Sequence, residues 1–113
     1  MPYIDSKITM KVSKEKQEAI KTRFGRDIAI LGKPETYLMV GIQDEYSLFF
    51  GGKQLDMGAF VDVRLLGNAS SEMYEKMTGA ICKTLGEELG IPSENIYVTY
   101  QGLKDWGWNG TNF

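Results

Sequence analysis

A proline in second position, a lysine just past a helical stretch and a tail crowded with aromatic rings are the residues whose types and places could carry chemistry. The chain has no His and a single Cys, so a general base must be a carboxylate, a Lys, a Tyr or the amino terminus itself. A small residue after Met1 normally permits removal of that Met, which would expose Pro2 as a secondary amine on a rigid ring at the start of a strand. An α-amino group starts near pKa ~7.7–8.0; desolvation and a nearby cation both favour its neutral form, about 1.4 kcal/mol for each unit of depression. Such an amine serves as a general base at neutral pH. Position alone leaves the other role open, a proline at a solvated terminus.

Lys33 also has two readings. It is a cation that one half of the chain carries where the other has the apolar Ile91, or simply a complement to the dipole at a helix C-terminus. Tyr97, Tyr100, Trp106, Trp108 and Phe113 crowd the end of the chain, interrupted by Gly107, Asn109 and Gly110. That mixture fits a loop lining an aromatic pocket as well as it fits core. Asp62 and Arg64 share a strand face two residues apart, as a substrate-gating pair or as a solvated or interfacial ion pair. Met73 and Met77 read as helix core and Cys82 as a small buried hydrophobe, because no His exists to activate the thiol. Phe50-Gly51-Gly52 is a tight turn whose spacing matches no phosphate loop.

The same composition excludes several classes. Zinc sites of Cys and His, Ser-His-Asp triads, Cys-His dyads and disulfide scaffolding cannot be built within one chain, and neither a metal nor a cofactor is expected. A net charge of −2 argues against a nucleic-acid partner. With 113 residues, 42% of them hydrophobic, the chain reads as one domain with a single core. No signal peptide or membrane-inserting helix is read, which makes the cytoplasm the default compartment. The two glycosylation sequons, Asn68-Ala69-Ser70 and Asn109-Gly110-Thr111, are therefore expected to stay unmodified.

The elements that position these residues follow from apolar spacing. Tyr3 to Met10 alternates as a strand. Ser13 then caps a helix from Lys14 to Leu31, along which Ile20, Phe24, Ile28 and Leu31 share a face, ended by Gly32 and Pro34. Tyr37 to Ile42 reads as a strand and Ser47 to Phe50 as a short one. Ala59 to Leu66 alternates again, and Ser70 or Ser71 caps a helix carrying Met73, Met77, Ile81, Leu85 and Leu89 at every fourth place until Gly90 and Pro92. Ile96 to Tyr100 is a further strand, and Trp106-Gly107-Trp108 a short tail element.

Leu31-Gly32-Lys33-Pro34 and Leu89-Gly90-Ile91-Pro92 are the same helix stop, half a chain length apart. The chain is thus an internal repeat of halves near 2–56 and 57–113 within one domain spanning 1–113. The fold class is α/β (α+β), with two pseudo-symmetric βαβ units forming a four-stranded mixed sheet and two helices on one face. The other face and the sheet edges are left open, which usually requires another subunit.

Taken in order, Pro2, Gly32-Lys33-Pro34 with Tyr37, Phe50-Gly51-Gly52, Leu66-Gly67, Ile96-Tyr97-Val98 and Gly107-Trp108-Asn109 with Phe113 resemble the macrophage migration inhibitory factor family. That family lies within the tautomerase superfamily that uses an amino-terminal proline. The resemblance covers essentially the whole chain and implies a homotrimer with active sites between subunits. It implies a keto-enol tautomerase of phenylpyruvate-like or dopachrome-like aromatic substrates, with Pro2 as the catalytic base once Met1 is gone. Lys33 and the Leu66 amide would hold the substrate's carboxylate or carbonyl oxygen. Tyr97 would come from the adjacent subunit, with Thr99 at the pocket rim, while Tyr3, Tyr37, Trp106, Trp108 and Phe113 would line the slot. A second implied role is that of a cytokine whose partner is a cell-surface receptor, consistent with family members that leave cells without a signal peptide. The chain departs from the vertebrate members at Thr99, where they have Asn, at Trp106, where they have a smaller aliphatic residue, and in a shorter loop from Gln101 to Asp105. Their Cys-X-X-Cys motif falls here on Asp56-Met57-Gly58-Ala59, so no thiol oxidoreductase activity is expected.

Overall fold

In the computed structural model, which describes residues 1–113, strand β1 (Pro2–Ile8) turns Ile4, Ser6 and Ile8 inward. Helix α1 (Lys14–Asp27) follows, its first turn held by Ser13 Oγ, which accepts from the Lys16 amide at 3.2 Å. The helix reading extended to Leu31; the last turn, Ile28–Leu31, tightens to 3-10 geometry but still buries Ile28 and Leu31. Gly32 then adopts φ +74°, and Pro34 leads into a 3-10 turn at Glu35–Tyr37 before β2 (Met39–Gln43). Tyr37, read as strand, therefore belongs to that turn. A small hairpin, β3 (Phe49–Phe50) and β4 (Lys53–Gln54), closes through Gly51 and Gly52.

The second half repeats the plan. Strand β5 (Ala59–Leu66) buries Ala59, Val61, Val63 and Leu65. Helix α2 (Ser71–Leu89) is capped by Ser70, whose Oγ accepts from the Met73 amide at 3.1 Å, and exits through Gly90, again at φ +74°. Pro92 leads into another 3-10 turn at Ser93–Asn95 and then β6 (Ile96–Leu103). The tail forms a hairpin of β7 (Gly107–Trp108) and β8 (Thr111–Asn112).

The sheet runs β2-β1-β5-β6, with β1 parallel to β2, β5 parallel to β6, and β1 antiparallel to β5 between them. This is the mixed four-stranded sheet that the duplication implied. Ile4, Ile8, Val61 and Val63 pack against Phe24, Ile28, Met77, Ile81 and Leu85 in one core. Met73 and Cys82, expected inside, are only half-buried at its margin. Arg23 of α1 ties the helices together outside the core, donating to Glu87 at 2.7 Å and Glu88 at 3.2 Å. No helix is long and apolar enough to cross a membrane.

On the opposite face Asp5 and Asp62 stand directly across from one another in the β1/β5 register. Like charges placed so are unfavourable, and each is answered by a cation two residues along its own strand. Lys7 Nζ lies 3.0 Å from Asp5, and Arg64 Nε 3.1 Å from Asp62.

The left-handed exit at Gly32 offers a test of the repeat's turn chemistry. A Cβ there would touch nothing closer than Met73 Cε at 3.9 Å, so backbone strain is the only penalty. Gly32→Ala is expected to lower the unfolding free energy by about 1–2 kcal/mol in urea denaturation at fixed protein concentration. No change would mean that the exit relaxes out of the left-handed conformation.

Candidate active site

Pro2 is buried and opens β1, the strand position at which a residue without an N–H leaves no gap in the ladder. Its partner in the register is Leu65. One residue further on, the Leu66 amide donates to the Met1 carbonyl at 3.0 Å. The left-handed turn at Gly32 sends Lys33 back toward the same strand end, where its Nζ donates to the Leu66 carbonyl at 2.9 Å. A backbone donor thus meets the group that precedes the Pro2 nitrogen, and an ammonium is held on the same residue that supplies that donor. Burial, and then the Lys33 charge, hold the Met1 amine below its usual pKa.

Beside this point opens a cleft of about 720 Å³ whose walls include Pro2, Tyr3, Tyr37, Arg64, Trp106 and Trp108. Tyr37 meets Trp108 edge-on, with ring centroids 5.6 Å apart at 73°, and Trp108 stacks on Phe113 at 6.0 Å and 26°. The Phe113 amide donates to the Trp106 carbonyl at 3.0 Å, which pins the end of the chain. The Tyr3 phenol is pushed above its usual pKa by burial and then by Asp5, so it stays protonated and able to donate.

The site residues read from the sequence thus fall into two groups. Pro2, Lys33, Leu66, Tyr3, Tyr37, Trp106, Trp108 and Phe113 gather at one end of the sheet. Tyr97 and Thr99 do not join them within the chain. Tyr97 packs against Phe50 with centroids 5.2 Å apart and lines a separate apolar cavity of about 200 Å³ with Phe49, Phe60 and Asn95. Thr99 Oγ1 donates to Asp62 Oδ1 at 3.1 Å.

Two features escaped the sequence reading. The tail is a tight hairpin because Asn109 and Gly110 both take positive φ, 54° and 78°, the pattern that a two-residue hairpin loop demands. The Asn-Gly pair was the available signal, and it was read as part of a sequon and of a loop lining, not as a hairpin turn. Asp62 and Arg64 were read as a substrate-gating pair or as a solvated or interfacial ion pair, without a place beside Pro2. The position of Arg64 opposite Tyr3 follows from the register, which alternation alone does not supply.

A family model described as macrophage migration inhibitory factor (MIF) matches residues 1–113. A macrophage migration inhibitory factor homolog of Trichuris trichiura is 33% identical over 86 residues, which span 74% of this chain and 75% of that one. The crystal structure of Leishmania major MIF2 superposes with a TM-score of 0.93 at 32% identity, covering 100% of this chain and 97% of that one. Macrophage migration inhibitory factor of Toxoplasma gondii gives a TM-score of 0.91 at 26% identity, covering 98% and 99% of the two chains. The duplicated βαβ sheet, the buried Pro2 at its strand end and the match along the whole length lead to one conclusion: the chain belongs to the macrophage migration inhibitory factor family and has the tautomerase-superfamily fold.

Proposed function

We propose that the chain is a keto-enol tautomerase of aromatic 2-oxo acids such as phenylpyruvate, with the Pro2 amine as its base once Met1 has been removed. The observation that carries the reading is the meeting of two donors at Leu66 beside buried Pro2: its N–H reaches the Met1 carbonyl at 3.0 Å, and its own carbonyl accepts from the Lys33 ammonium at 2.9 Å. Removal of Met1 leaves the Pro2 nitrogen as a secondary amine and the Leu66 N–H without its acceptor.

The neutral amine takes a proton from the carbon beside the substrate's carbonyl, and the carbonyl oxygen becomes an enolate oxygen. The Leu66 N–H and Lys33 meet that developing charge or the neighbouring carboxylate, and the proton returns to oxygen to complete the enol. Lys33 serves twice, because the charge that attracts an anion also disfavours protonation of the amine. The Tyr37, Trp108 and Phe113 rings give an aromatic substituent its wall.

Assembly into a homotrimer, with Tyr97 and Thr99 entering the neighbour's site, is part of the same proposal. It is supported by the large apolar side chains left exposed on one chain, Met39 at 68%, Phe49 at 67% and Tyr97 at 57%. The test is intact mass and phenylpyruvate turnover on one sample: loss of Met1 with turnover supports the reading, and loss of Met1 without turnover overturns it. Lys33→Ala is expected to lower kcat/KM on the order of tenfold to hundredfold, mainly by raising KM, as removal of a charged hydrogen-bond partner does. An unchanged KM would remove Lys33 from the binding site.

A further inference from the structure

We propose that Arg64 is a specificity-determining residue of the Pro2 cleft, and that it favours 2-oxo acids carrying a second carboxylate. The inference rests on the tautomerase reading of the same site. Arg64 stands opposite Tyr3 in the β1/β5 register and next to Leu65, the partner of Pro2. Its side chain is 49% exposed and lines the cleft together with Pro2, Tyr3 and Trp106.

The guanidinium is anchored but not saturated. Nε donates to Asp62 Oδ2 at 3.1 Å, and the other carboxylate oxygen of Asp62 takes the Thr99 hydroxyl at 3.1 Å. Asp62 is thereby fixed from both sides and orients the guanidinium plane through one nitrogen. Nη1 and Nη2 make no hydrogen bond within the chain. A planar pair of donors of this kind matches the two oxygens of a carboxylate, and a lysine at the same place would not reproduce the fork.

Two cationic groups then flank Pro2 along β5, Lys33 at Leu66 and Arg64 two residues earlier. The backbone positions that carry these two contacts lie two residues apart on β5, roughly 6.6 Å, so the ligand class that engages both is a short dicarboxylate, with the anchored guanidinium at one end and the Lys33 ammonium at the other. A monocarboxylate can satisfy only one of them. The remaining ionised group on the cleft wall, Asp105, is exposed to solvent, where its repulsion of an anion is screened.

The experiment compares Met1-free wild type with Arg64→Gln and Arg64→Lys on phenylpyruvate, which has one carboxylate, and oxaloacetate, which has two. Binding of succinate, which cannot tautomerise, is followed by calorimetry in parallel. In Arg64→Gln the ratio of kcat/KM for oxaloacetate to that for phenylpyruvate is expected to fall on the order of tenfold to hundredfold, with weaker succinate binding, and Arg64→Lys is expected to restore part of both. Because Arg64→Gln strands the Asp62 carboxylate, the double variant Asp62→Asn with Arg64→Gln gives the same readout without that charge. A ratio and a succinate affinity that do not respond to Arg64 overturn the inference while phenylpyruvate turnover keeps the tautomerase reading. Arg64-dependent succinate binding with turnover of neither substrate overturns the tautomerase reading and keeps Arg64 as a dicarboxylate anchor.

Discussion

Met1-free protein carrying Pro2→Gly is expected to lose phenylpyruvate tautomerisation by a factor on the order of 10²–10⁴, the usual contribution of a positioned general base. Glycine keeps a terminal amine but loses the ring that fixes its direction. Protein that retains Met1 is expected to show no turnover through this base, because the Pro2 nitrogen is then an amide nitrogen with no basic lone pair. The pH profile provides a second reading. Burial first and then the Lys33 charge hold the Met1 amine below its usual range, and an amine at Pro2, which is itself buried at the same strand end, is expected to be lowered in the same direction. The base works unprotonated, so a lowered pKa places the rising limb of kcat/KM below the usual α-amino range. Removing the charge in Lys33→Ala moves that limb to higher pH. Turnover in protein shown by intact mass to retain Met1 fully would mean that another group is the base.

Phe24→Ala is the substitution expected to cost most in stability, about 3–5 kcal/mol for a fully buried Phe whose neighbours cannot collapse into the space. Phe24 is 0% exposed and lies in the single core shared by both halves. A loss of this size is a large part of the roughly 5–15 kcal/mol by which a domain is stable, so the variant is expected to unfold at a much lower urea concentration. Phe24→Leu, which keeps most of the apolar volume, is expected to lose less. Equal losses for the two would show that the site depends on ring shape rather than on filled volume.

Where apolar periodicity was strong, the sequence was enough. Ala59–Leu66 and Ser71–Leu89 have the bounds that alternation and every-fourth spacing indicated, and the twin Leu-Gly-X-Pro stops marked the two left-handed exits. The end of α1 was less legible because a 3-10 turn at Ile28–Leu31 buries the same residues that another α turn would have buried. The start of β2 was misplaced because Tyr37-Leu38-Met39-Val40 is apolar throughout, and such a run holds no boundary signal. For the site, residue type singled out Pro2 and Lys33 as candidates, the resemblance supplied their partnership, and the fold brings both to the same strand end. Arg64 was singled out with Asp62, but its place opposite Tyr3 was hidden, because that depends on strand pairing between residues far apart in the chain.

The placement of β1 between β2 and β5 also sets an order of events during synthesis. Chain termini are ordinarily the least constrained part of a protein, yet here the second residue is paired into the middle of the sheet. The residues that clamp it, Leu65 and Leu66, leave the ribosome much later than Pro2 does. At about 5–20 residues per second that interval lasts roughly 3–13 s, and throughout it the amino end has no β5 against which to pair. An aminopeptidase acting on a residue ahead of Pro2 meets an open end during this interval and a hydrogen-bonded strand end after it. Chains that miss the early encounter are expected to carry the extra residue into the folded state, where its carbonyl accepts from the Leu66 amide.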